Sequence, residues 1–133
     1  MRYIEVILPI SIPGVFFYSV PTNIKQKNLK GCRVIVPFGK RKYYTGLVYG
    51  NADKVSSKFT IKEIFEVLDI EPIVTKDQLK FIEWVSSYYM CSLGDAYNAA
   101  LPAGLKLISE SYIGIIPNIE INFEKLNKRN IVK

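Results

Sequence analysis

The chain has 133 residues, 49% of them hydrophobic, a formal charge of +6 and no histidine. That length supports one globular domain with a substantial core and is too short to expect two, and the missing histidine removes His-based triads, His metal ligands and the commonest general base. Cys32 and Cys91 stand far apart without CxxC spacing, so they read as small buried residues rather than as a zinc site or a disulfide framework.

Tyr3 to Leu8 alternates, with Tyr3, Glu5 and Ile7 against Ile4, Val6 and Leu8, and reads as a first strand ended by Pro9 and Pro13. The charge at Glu5 and the lack of a long apolar stretch set this terminus apart from a signal peptide. No segment approaches the ~20 apolar residues of a membrane helix. The chain therefore reads as soluble and cytoplasmic, with no membrane partner. Val15 to Val20 is aromatic and β-branched and predicts a second strand, Arg33 to Val36 a third and Tyr43 to Tyr49 a fourth. The link from Pro37 to Lys42 reads as a hairpin loop in which Gly39 supplies the tight bend. Thr60 to Leu68 predicts a fifth strand. Short strands punctuated by turn signals in a chain of this size predict a small closed or partly closed OB-like β-barrel of about five to six strands.

The period then changes. Thr75-Lys76-Asp77-Gln78 is a capping-box sequence, followed by Leu79, Ile82, Val85 and Tyr89 at helical spacing, with Phe81, Trp84 and Tyr88 widening the apolar face. That predicts a helix of about four turns, and the Trp84 and Tyr88 stripe is expected to be core. Ser92 to Asp95 starts a second, short helix closed by Pro102 and Gly104. The fold class is thus mainly β with two helices, α+β, the helical pair packing across one side or end of the barrel. Ser111 to Ile116 reads as a further strand, and Asn118 to Lys133 shows no clear period.

The charge is uneven. Between Glu5 and Asp53 no acidic residue occurs, while Lys25, Lys27, Lys30, Arg33, Lys40, Arg41 and Lys42 all fall there; from Asp53 onward ten basic and eleven acidic residues nearly cancel. A localised basic block is the footprint of a phosphate-binding surface. The carboxylates Glu63, Glu66, Asp69 and Glu71 have no partner base and read as surface charge. A Walker-type phosphate loop is missing, since Val34 stands where the first glycine before Gly39-Lys40 would be, and GxGxxG, HExxH and GxSxG are missing too. Catalysis is the least supported function.

What remains is a combination of rings and cations. In the second strand Phe16 and Tyr18 point one way and Phe17 the other, so one face is core and the other presents an aromatic able to stack an unpaired base. Gly39 lets a ligand approach the backbone, and Lys40, Arg41 and Lys42 supply phosphate contacts. This favours single-stranded nucleic acid over a duplex. Two alternatives stand beside it: a general single-strand or RNA-binding barrel, and a protein-interaction domain whose basic face meets acidic tails.

Particular words in the chain carry a resemblance. Leu8-Pro9-Ile10, Phe16-Phe17-Tyr18, the run from Gly31-Cys32-Arg33-Val34 to Pro37-Phe38-Gly39-Lys40, and Gly46-Leu47-Val48 are followed in order by Lys62, Glu66-Val67-Leu68-Asp69, Tyr88-Tyr89, Leu93-Gly94-Asp95 and Ala100-Leu101-Pro102-Ala103-Gly104. Over residues 3 to about 105 the chain resembles the N-terminal 3′-end DNA-binding domain of the PriA family of replication restart helicases. The resemblance implies capture of the 3′ end of the nascent leading strand at a stalled or abandoned fork. It also implies a domain over residues 1–105, with 106–133 a linker and the start of a winged-helix domain. ATP with magnesium and zinc would serve only a helicase region outside these residues, and this stretch would need no cofactor. Its partners would be forked DNA with a free 3′ end and, in the whole protein, single-strand-binding protein and other primosome components. By the same resemblance Phe16 contacts the terminal base, the Gly39 backbone closes the pocket and Lys62 contacts the nucleic-acid backbone. Phe17 departs from the aspartate of well-known members, which hydrogen-bonds the terminal nucleotide, and this leaves end recognition to sterics and stacking.

Overall fold

The computed structural model describes residues 2–52 and 60–107. Strands β1 (Arg2–Ile7), β2 (Phe16–Val20), β3 (Arg33–Phe38), β4 (Lys42–Ala52), β5 (Lys62–Glu63) and β6 (Glu66–Val67) form one sheet in the order β5-β2-β1-β4-β3-β6. Helices α1 (Lys76–Tyr89) and α2 (Leu93–Ala100) follow, then a 3-10 turn over Ala103–Leu105.

Alternation along the strands decides what each face buries. Ile4 and Val6 of β1, Val34 and Val36 of β3 and Val48 of β4 point inward and are fully buried, joined by Tyr18, Val20, Leu29 and Ile64. Ile7 and Leu47 point to the other face, where Leu79, Ile82, Ala96 and Tyr97 of the helices cover them. The central strands are therefore buried on both sides, which is why Val6-Ile7-Leu8 reads as a continuous apolar run.

The strand expected over Thr60 to Leu68 is present as two short pieces, because it changes partner midway. β5 pairs parallel with β2, Tyr18 opposite Lys62, whereas β6 pairs antiparallel with β3, Val34 opposite Val67. At the switch the Ile64 amide donates to Ser19 O at 3.0 Å and the Phe65 amide to Ile35 O at 2.8 Å. One segment thus ties the two outer strands together and curls the sheet into an OB-like half-barrel, the mainly β fold with two helices that the sequence predicts. β3 runs past Val36 to Phe38, since β6 pairs only with Val34 and Ile35 and no ladder bond on that side is demanded of Pro37.

Both helices start as predicted. Thr75 Oγ1 accepts from the Gln78 amide while Gln78 Oε1 accepts from the Thr75 amide, and Ser92 with Asp95 repeats the arrangement on α2. Gly94 lets α2 sit on the exit of β1, because a Cβ there would collide with the carbonyl oxygens of Leu8 and Ile10.

Three expectations need correction. Trp84 and Tyr88 are not core: they are 54% and 65% exposed. The sheet offers α1 only a narrow apolar patch, which Leu79 and Ile82 fill, and the remaining rings stack on one another instead, Phe81 on Trp84 and Trp84 on Tyr88 with centroids 5.9 and 5.0 Å apart. Cys32 is buried, but Cys91 is only half-buried. Asp69 is not loose surface charge, for it grips Arg33. The strand expected over 111–116 lies outside the described residues, as does the expected second domain except for residues 106 and 107. Among the described residues no helix is long and apolar enough to cross a membrane.

Candidate nucleic-acid interface

The end of the half-barrel where β2 begins and β3 turns into β4 is open. A pocket of about 550 Å³ lies there, lined by Val15, Phe16, Phe17 and Tyr18, by Pro37, Phe38 and Gly39, and by Thr60, Ile61 and Lys62. This volume falls within the roughly 300–1,000 Å³ of small-molecule sites. Three separate stretches of sequence meet because β2 pairs with β5 while the segment after β5 crosses to β3.

Each wall has a local cause. Phe16 is half-buried, its ring set edge-on against Phe38 with centroids 5.2 Å apart, and Phe38 in turn meets Tyr44 at 5.9 Å. This edge-to-face chain fixes the Phe16 ring at the pocket. Tyr18 is 4% exposed and donates its hydroxyl to Pro37 O at 3.2 Å; burial pushes its pKa up to about 12, so it is a neutral, immobile part of the wall. Phe17, on the opposite side of the strand, is 40% exposed at the rim. The turn between β3 and β4 is three residues long, and Gly39 takes φ +68° in it, a left-handed conformation that favours glycine. The Lys62 ammonium donates to the Gly39 carbonyl. That bond joins strand to turn across the pocket mouth and holds a cation there.

The structure divides the basic block. Lys40, Arg41 and Lys42 are exposed on the turn beside the pocket. Lys25 and Lys27 are exposed on the loop before β3, which is bound at the other end of that strand: the neighbouring Gln26 side chain donates to Ile70 O at 2.9 Å and reaches Cys32 Sγ. Six residues of strand, at about 3.3 Å each, separate the two groups by roughly 20 Å. Lys30 is set over the Tyr49 ring at 5.7 Å. Arg33 is withdrawn altogether, its guanidinium donating to both Asp69 oxygens at 2.6 and 3.0 Å and to Leu105 O at 2.8 Å. Burial alone would push the Asp69 carboxyl up, but the hydrogen bonds from the Arg33 side chain and amide, with the guanidinium charge, hold it below its ordinary value. Asp69 raises the Arg33 pKa in return.

The family model described as the 3′ DNA-binding domain (3′BD) of PriA matches residues 5–102, the stretch that builds the half-barrel and both helices. The chain belongs to the PriA 3′BD family. Similar relatives are the replication restart protein PriA of Bacillus subtilis, 34% identical over 120 residues, and that of Haemophilus influenzae, 30% identical over 106 residues. These alignments cover 86% and 80% of this chain but 15% and 14% of the relatives. The PriA of Treponema pallidum is 28% identical over 105 residues. The chain thus spans about a seventh of the length of the curated relatives it matches.

Within this 3′BD, Phe16, Phe17, Tyr18, Gly39 and Lys62 all line the one pocket, and Lys40, Arg41 and Lys42 flank it. Residue-level reading did not assign Val15, Thr60 and Ile61 to the pocket. Their proximity depends on the pairing of β2 with β5, and the signal was their adjacency to Phe16 and Lys62. Among the described residues no group of three or more His, Cys, Asp or Glu side chains is placed to hold a metal ion.

Proposed function

We propose that the pocket captures the 3′-terminal nucleotide of a DNA strand, and that the domain does so at the nascent leading strand of stalled or abandoned forks within a replication restart helicase. The observation that carries this reading is the meeting of Phe16, Gly39 and Lys62 around one pocket that an exposed basic turn flanks. A pocket, rather than an open groove, suits a strand end, because a continuing strand would have to thread through it. In this role Phe16 takes the terminal base by stacking, the Gly39 backbone bounds it, Tyr18 is wall rather than contact, and Lys62 meets the adjoining phosphate. Phe17 makes the rim apolar where the resemblance implies the aspartate of well-known members, so the end is recognised by shape and stacking. Lys40, Arg41 and Lys42 supply phosphate attraction.

The reading extends to forked DNA, single-strand-binding protein and other primosome components as partners of the whole protein. ATP, magnesium and zinc belong to its helicase region and not to this domain. Residues 106–133 are the linker and the start of a winged-helix domain.

Fluorescence anisotropy with forks bearing a 3′-hydroxyl or a 3′-phosphate on the leading strand tests end capture. Tighter binding of the free hydroxyl is expected. Equal affinity would overturn it and leave a general single-strand binder. Phe16→Ala should weaken the hydroxyl-ended fork about tenfold through the loss of one stacked base, and Lys62→Ala should weaken it through the loss of a phosphate contact, while circular dichroism still reports a folded domain.

A further inference from the structure

The exposed face of the turn carries a second aromatic feature outside the pocket. Tyr43 and Tyr44 are adjacent on β4 and point to opposite faces: Tyr44 goes inward to Phe38, and Tyr43 goes outward, 42% exposed. Phe65 stands where the chain crosses from β5 to β6 and is 67% exposed. Their rings meet edge to face, centroids 5.6 Å apart. Among the described residues the helices reach this outer face at Thr45, whose carbonyl accepts from the Tyr97 hydroxyl and whose hydroxyl donates to Leu107 O, and both rings remain exposed beyond it.

Two large rings held against each other in water incur a solvation cost without serving the core, and their surroundings indicate an occupant. Pro37 belongs to both features, lining the pocket and standing opposite Tyr43 in the β3–β4 register. Phe65 follows Lys62 by three residues, so a strand leaving the pocket mouth past Pro37 runs onto the pair. In sequence Lys40, Arg41 and Lys42 lead into Tyr43, and Lys62, Glu63 and Glu66 flank Phe65. The exposed cations of the turn draw phosphates to that side of the pair.

We infer that Tyr43 and Phe65 form a second nucleotide site, a stacking platform for the unpaired base that precedes the captured end. The inference rests on reading the pocket as a DNA site and adds that the strand next to the end is single-stranded and bound. Base stacking on an aromatic is tolerant of sequence, so the platform contributes affinity without base preference.

The test uses the whole chain with two hydroxyl-ended ligands, a mononucleotide 5′-phosphate and a hexanucleotide, the latter carrying 2-aminopurine at successive positions back from its 3′ end. Quenching of the probe is expected within the first few positions behind the terminal nucleotide. Phe65→Leu and Tyr43→Leu, which keep apolar bulk without a ring, should abolish that quenching and weaken the hexanucleotide about tenfold, leaving the mononucleotide unchanged. Equal losses for the mononucleotide and the hexanucleotide, or quenching that survives both substitutions, would overturn the platform. So would a fall in melting temperature with unaltered hexanucleotide binding, which would mean that the pair is covered by protein, such as the chain beyond Leu107. Failure of end capture reads differently: a 3′-phosphate then leaves wild-type affinity unchanged, whatever the two substitutions do.

Discussion

Gly39 and Lys62 are 23 residues apart and meet through one hydrogen bond, so the shape of the pocket mouth depends on a backbone conformation at one end and a side chain at the other. A Cβ on Gly39 would have open space around it, which confines the cost of Gly39→Ala to the left-handed backbone. A loss of about 1 kcal/mol is expected in urea unfolding, together with weaker DNA binding as the turn shifts. Arg33 and Asp69 pose the opposite case, a charged pair with side chains only 17% and 8% exposed. Because the Asp69 carboxyl is held below its ordinary value of 3.8, its contribution to stability is complete above that value and is lost as pH falls through the lower folded-state value. Asp69→Asn should cost about 2 kcal/mol at neutral pH. The gap in melting temperature between wild type and variant should close as the pH is taken below 3.8; a gap that persists unchanged in acid would show that the pair's charge is not its source.

At the scale of elements, α1 shows how far periodicity carries. Its start at Thr75, its length and its buried residues Leu79 and Ile82 follow from the capping box and the helical spacing. The burial of Trp84 and Tyr88 does not follow, because a wide apolar stripe says nothing about how much of it a neighbour covers. Truncating either ring to alanine is expected to cost about 1 kcal/mol, the scale of a surface ring contact, against the roughly 3–5 kcal/mol of a core aromatic. Thermal unfolding of Trp84→Ala and Tyr88→Ala decides between the two. β5 and β6 carry the complementary lesson. Thr60 to Leu68 is legible as extended, but the change of partner at Ile64 and Phe65 is set by where the edges of β2 and β3 come to lie.

For the whole molecule, the positive charge that looks like one block in sequence is three things in space: a basic turn at the pocket, a separate lysine loop at the far end of β3, and an arginine neutralised by Asp69. Binding should report the division. Lys42→Gln is expected to lower the slope of log affinity against log salt by about one unit, as one phosphate contact is lost, and Lys25→Gln to leave it nearly unchanged. Equal effects would mean that DNA reaches both ends.

The sequence by itself determined β1 to β4 and the starts of both helices, since alternation, capping boxes and turn residues act within a few positions of one another. Through the ordered words from Leu8-Pro9-Ile10 to Ala100-Leu101-Pro102 it also determined the family, and the resemblance singled out Phe16, Gly39 and Lys62, which line one pocket. Tertiary structure alone decided which rings are wall, rim or exposed ladder, which cations are free, and that Tyr43 and Phe65 stand together outside the pocket. These depend on the curl of the sheet, which brings β2, the β3–β4 turn and the crossing segment to one end. No local spacing encodes a meeting of residues that far apart in the chain.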